Sequence, residues 1–242
     1  MRENQFTRHL PFHALLEALE QPGCPLCWLA ARAVERALEG LSYENINDPE
    51  VQREFRSALG LCARHGWQWV DRLHSGQGAA ILYGATATTA LTRLRAGRNG
   101  SEPPGGLLAL VLGARPETPP EVAALTPEGP CPMCRVRDET ARRAAEVLRG
   151  GLKDAEFKAA YDRSDGVCIP HLRWMLADAR SADQHARQAL VERAMARLEQ
   201  LRGELAEYVR KHDYRFQHEP YGSEREAPLR ALAFFAGERG VW

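Results

Sequence analysis

Neither sign of charge dominates this sequence: Lys plus Arg and Asp plus Glu number 32 each among 242 residues. A chain with no net field gives no electrostatic reason to expect nucleic acid, an anionic membrane or a strongly charged substrate as its partner. Long apolar runs are missing too. Nothing approaches the roughly 20 uninterrupted apolar residues of a membrane-spanning helix. The opening MRENQFTRHLPFHALLEALE lacks the basic, then apolar, then small-residue order of a secretory leader. These absences lead to the expectation of a cytoplasmic, soluble protein. A Gly-rich phosphate loop and a nucleophile elbow are also lacking, so no hydrolytic enzyme is indicated. With 44% hydrophobic residues, the chain is nevertheless long enough to bury a core.

What the sequence does have is six cysteines in a pattern. Cys24-Pro25-Leu26-Cys27 is followed by Cys62-Ala63-Arg64-His65, and Cys131-Pro132-Met133-Cys134 by Cys168-Ile169-Pro170-His171. The two halves run in register, offset by 107 residues at the first motif and 106 at the second. At the shorter offset Asp48 falls on Asp154, Val51 on Phe157, Phe55 on Tyr161 and Gly60 on Gly166. A polar start, an apolar stripe and a terminal glycine recur, which reads as an internal duplication.

The period between motifs is helical. Cys27, Ala30, Ala31, Val34, Ala37, Leu38 and Leu41 fall on one face of a helix. A shorter helix is expected from Asp48 as N-cap, with Pro49 in its first turn, burying Val51 and Phe55 and stopping at Gly60. Its mate begins near Asp154. Each histidine is followed by a further helix and then a longer one, Ala79 to Arg95 in the first half and a Leu190–Tyr208 stripe in the second. The expected class is all-α: two related helical units, residues 1–96 and 131–211, joined by a Pro/Gly-rich connection over 97–130 and ending in a tail over 212–242. The apolar run Leu107 to Leu112 of the connection, able to dock, and a final packed turn over Ala231 to Ala236 complete the expectation.

In a reducing compartment, patterned thiols are metal ligands more often than disulfides. Two thiolates spaced by two residues at a turn entering a helix can face one centre, where the positive helix end stabilises the anionic sulfur. A third thiolate and an imidazole three positions apart complete a closed Cys3His set, a tetrahedral zinc arrangement with no position left for substrate. The expected ligands are Cys24, Cys27, Cys62 and His65 for one ion and Cys131, Cys134, Cys168 and His171 for the other. Each site can equally combine the first motif of one half with the second motif of the other; the within-half set is the simpler choice. Two zinc ions are the expected cofactors, with an iron–sulfur cluster as the alternative metal centre and a cycling Cys-x-x-Cys pair as the alternative chemistry.

The remaining histidines, His9, His13, His74, His185, His212 and His218, do not recur in register and read as surface or capping residues. Trp67, Trp69 and Trp174 read either as shields of the metal or as ordinary core. Arg64 and Arg173 either offset the thiolate charge or are simply solvated. The segment from His212 to Tyr221 reads as a docked tail or as a pocket wall. With CPLC/GLCARH and CPMC/GVCIPH, together with NDPE and KHDYRF, the sequence resembles a bacterial family catalogued as a domain of unknown function. That resemblance covers nearly the whole chain and implies two cysteine-rich halves, with no activity to transfer. The functional expectation is a metal-binding helical module that binds or scaffolds an unknown protein or small-molecule partner, and the long C-terminal stripe is compatible with a homodimer. An oxidoreductase or electron carrier is the alternative.

Overall fold

The computed structural model describes residues 10–43, 45–73, 76–99, 118–178 and 184–241. Among these residues it contains eleven α-helices, one short 3-10 turn and no strand. In chain order the helices are α1 (Leu10–Leu19), α2 (Pro25–Tyr43), α3 (Pro49–Ser57), α4 (Ala63–Leu73), α5 (Gly76–Asn99), α6 (Pro120–Ala124), α7 (Pro132–Gly151), α8 (Ala155–Arg163), α9 (Ile169–Ala177), α10 (Gln184–Lys211) and α11 (Ala227–Ala236). None is long and apolar enough to cross a membrane. His9, His74 and the run from Leu107 to Leu112 lie outside the described residues.

Local chemistry accounts for the short helices. Asp48 sits in extended backbone before α3, and its carboxylate accepts from the N–H groups of Glu50 and Val51 at 2.8 and 3.2 Å. Asp154 does the same for Phe157 at 2.9 Å ahead of α8. Each bond satisfies a first-turn amide that would otherwise lack a partner. Pro49 costs nothing at the first position of α3, where no intrahelical bond is lost. Gly60 and Gly166, each two residues before a cysteine, adopt φ of +97° and +73°. A side chain there would be strained, and at Gly60 its Cβ would also meet the Tyr83 ring at 2.6 Å.

The chain divides into two compact units, residues 1–33 with 137–242, and residues 34–136. The division falls inside α2 and α7. In the first unit Leu15, Leu26, Leu148, Leu152, Phe157, Tyr161, Met175 and Leu190 form the centre of the core, all less than 3% exposed. Here the Phe12 and Phe157 rings lie 5.2 Å apart. In the second unit Val34, Leu38, Phe55, Trp69 and Leu82 do the same. Trp69 is fully buried, with its indole N–H donating to Ser42 at 2.8 Å.

The C-terminal residues that looked like either a tail or a pocket wall are tied down to the end of α10. Arg210 pairs with Glu207 and Glu219 and lies 4.5 Å above the Phe216 ring. Lys211 pairs with Glu224 at 2.7 Å, and that contact holds the Glu224 carboxyl down at about 2. The expected turn over Ala231–Ala236 is part of the longer helix α11.

Because Phe157 is 1% exposed and packs against Phe12, Phe157→Ala should cost about 3–5 kcal/mol in urea unfolding, whereas Asp154→Ala should cost about 1 kcal/mol through the lost cap. Equal losses would show that the aromatic core is not what holds this unit.

Candidate metal centres

All eight motif residues fall into two groups of four, but the partnership differs from the simpler expectation. Cys24 and Cys27 meet Cys168 and His171, while Cys62 and His65 meet Cys131 and Cys134. The within-half sets are thus corrected to the crossed arrangement. The physical reason is which helix ends converge. Cys24 and Cys27 stand at the start of α2, and Cys168 and His171 at the start of α9; these two ends meet in the first unit. The starts of α4 and α7 meet in the second. Each centre receives two helix N-termini, whose free amides and positive dipole ends favour anionic sulfur. Cys168 occupies the N-cap position of α9 yet makes no side-chain cap bond, because its sulfur is turned to the centre.

The distances are short enough for the four side chains of each group to hold one ion. In the first centre His171 Nδ1 lies 3.5, 3.4 and 3.3 Å from the sulfurs of Cys24, Cys27 and Cys168, and Cys27 and Cys168 are 3.7 Å apart. In the second His65 Nδ1 lies 3.3, 3.6 and 3.5 Å from Cys62, Cys131 and Cys134, with Cys62 and Cys134 again 3.7 Å apart. Zinc bonded at about 2.3 Å to sulfur and about 2.0–2.1 Å to nitrogen, at tetrahedral angles, requires edges of about 3.8 Å between sulfurs and about 3.6 Å from sulfur to nitrogen. The six sulfur–nitrogen distances and the Cys27–Cys168 and Cys62–Cys134 distances match those edges within a few tenths of an ångström. None of the six cysteines forms a disulfide.

The electrostatics of the two centres differ. Burial pushes the Cys24 thiol up to about 12. Cys168 also rises to about 12, since the lowering effect of its contact with Cys24 is outweighed by Cys27 and by burial. Cys27 is raised as well: its contact with Cys168 lowers it, and the neighbouring Cys24 thiol together with burial overrides that. Burial, assisted by the positive charge of Arg137, lowers His171 to about 4, so the imidazole is neutral and able to act as a ligand at neutral pH. In the second centre Cys62 shifts the other way. Burial opposes the shift, but the backbone N–H of His65 and contacts with Cys134 and Cys131 lower the thiol.

Several supporting residues were not evident from the sequence. Asp165 accepts from the Gly23 N–H at 2.7 Å and pairs with Arg197 at 2.9 Å, linking the two ligand loops of the first centre. Arg197 lies on the buried face of α10 at 5% exposure, where periodicity anticipates only apolar residues. Asp165 aligns with Leu59 in the other half, so no repeat marks it. Arg137 influences His171 and donates to the Val241 carbonyl at 2.9 Å, whereas Arg64 and Arg173 are exposed. Of the three tryptophans near the histidine motifs, Trp69 is core, Trp67 is 67% exposed, and Trp174 lies beside a ligand, its ring 6.4 Å from that of His171. His13, His185, His212 and His218 are exposed and belong to neither centre.

The shifts set the pH response of metal-stripped protein. Unfolded His171 takes a proton below its ordinary 6.5, and the folded residue refuses it until about 4. Stability is therefore lost as pH falls across that window. The buried thiols have the opposite sign: they favour the fold below their ordinary 9.0, and stability is lost as pH rises above it. Urea midpoints of chelator-treated protein should decline on both sides, and His171→Gln should shrink the acid limb alone. An unchanged acid limb would contradict the assignment to His171.

No curated protein and no solved structure matches the chain. A family model does: residues 9–240 match the one described as a family of unknown function, DUF6062, and the chain, with its two crossed Cys3His groups, belongs to that family.

Proposed function

We propose that each four-residue group holds one zinc ion, that both ions are structural, and that the protein is a helical module serving a partner rather than an enzyme. The observation that carries this reading is the match between the six sulfur–nitrogen and two sulfur–sulfur distances and the edges of a zinc tetrahedron. Four protein ligands fill a tetrahedron, so no coordination position remains for substrate or catalytic water. A multi-iron cluster is less well supported. Its ligands sit on separate irons, whereas here all four ligand atoms of each group lie within 4.8 Å of one another, the span of one ion.

Zinc held this way would contribute directly to folding. The ligand pairs of the first centre are separated by 141 to 147 residues in sequence, and those of the second by 66 to 72. Bringing them together is costly in chain entropy, and the metal bonds offset that cost. The duplication reading fits the helix order, in which α2 to α5 and α7 to α10 follow the same sequence of long, short, short and long. The surface this reading assigns to a protein partner is the exposed row Leu229, Leu232 and Phe235, three residues apart on α11.

Protein purified without added metal should carry about two equivalents of zinc and show no visible absorbance. Chelation should lower its melting temperature by roughly 10–20 °C, as expected when several kcal/mol of metal-linked stability is removed. Iron with visible bands, or a melting temperature that chelation leaves unmoved, would contradict the reading.

A further inference from the structure

The two centres share a ligand set and spacing but not their access to solvent. In the first, Cys24, Cys27, Cys168 and His171 are 4, 0, 1 and 2% exposed. The C-terminal turn closes over it. The Glu238 backbone N–H meets the Cys27 sulfur, and Val241, 1% exposed, is anchored through its carbonyl to Arg137. A cavity of about 320 Å³ reaches the edges of Cys24 and Cys168, but Asp165, Arg197, Phe234 and Glu238 line it and leave the two sulfurs nearly covered. In the second centre only His65 is buried, and Cys62, Cys131 and Cys134 are all partly exposed.

We propose that the second centre is an oxidant-responsive metal site whose reactant is hydrogen peroxide, while the first is the permanent one. This rests on the metal reading above. Metal-bound thiolates are nucleophiles wherever a small oxidant can reach them. An exposed sulfur of the second centre, Cys62 or Cys134, attacks one peroxide oxygen. The O–O bond breaks, the sulfur becomes a sulfenic acid and, with a proton, the leaving oxygen departs as water. The other thiol then attacks that sulfur, forming the S–S bond and expelling the sulfenic oxygen as a second water. In total two thiols are oxidised to one disulfide, and one peroxide is reduced to two waters. Both centres present sulfurs 3.7 Å apart, against about 2.05 Å in a disulfide. The movement needed is therefore the same in each, and exposure alone selects between them. With two of its four ligands consumed, the second centre loses its hold on the ion, and with it the tie between the starts of α4 and α7. A thiol reductant reverses the step.

The test uses the full chain as purified, after its metal content is measured. Hydrogen peroxide is added, released zinc is followed with a chromogenic chelator, and disulfides are mapped by peptide mass. One equivalent should leave about tenfold faster than the other, with the disulfide confined to Cys62, Cys131 and Cys134 and reversed by dithiothreitol. Val241→Ser, which loosens the cover, should speed release of the slow equivalent and leave the fast one unchanged. Simultaneous release of both, no release, or first oxidation at Cys24, Cys27 or Cys168 would overturn the proposal while leaving the zinc reading intact. Metal-free protein would overturn both.

Discussion

Everything in this fold has to satisfy one requirement: two helix N-termini, from distant parts of the chain, must bring two Cys or His ligand atoms each into a group that lies within 4.8 Å. Helix starts suit this task because their first amides have no partners of their own and their dipoles favour anionic sulfur. Proline directly after Cys24 and Cys131 fixes the backbone of those starts without sacrificing a hydrogen bond. Glycines with positive φ at 60 and 166 turn the chain just before the second motif of each half. The caps at Asp48 and Asp154 set where the preceding helices begin, and therefore where those turns fall.

Much of this was legible in the sequence because its signals are local. The caps, the helical periods of α2 and α10, and the glycine turns before the second motifs each depend on residues within a turn or two of one another, although α3 and α8 end at Ser57 and Arg163, ahead of those glycines. The identity of the eight candidate ligands was legible for the same reason, since their spacing follows from helix starts. Which starts meet was not legible. Crossed and within-half pairings make identical demands on the residues around each motif, and the choice is settled by the packing of cores whose members are far apart in sequence, from Val34 to Met133 in one and from Phe12 to Val241 in the other. Asp165 and Arg197 were missed by the same logic: a buried arginine on an apolar face makes sense only once its carboxylate partner is in place.

The two centres are nonetheless not equivalent. A simple duplication would give two sites with the same surroundings. Here the first lies in the unit that also contains α11 and the C-terminal turn, whose residues Phe234 and Val241 join its core. The second lies in the unit of residues 34–136, with three of its four ligands partly open. The same four ligand types therefore span a range from sealed, with thiols raised by burial, to accessible, with a thiol lowered by neighbouring N–H groups.

The central claim, two ions each held by a crossed Cys3His set, is tested most directly by metal content in two double variants. Cys24→Ser with Cys168→Ser removes two ligands from one centre and should leave about one equivalent of zinc. Cys24→Ser with Cys62→Ser removes one ligand from each and should leave both sites weakened and close to empty after dialysis. The reverse pattern, with the second variant keeping one ion and the first keeping none, would contradict the crossed arrangement.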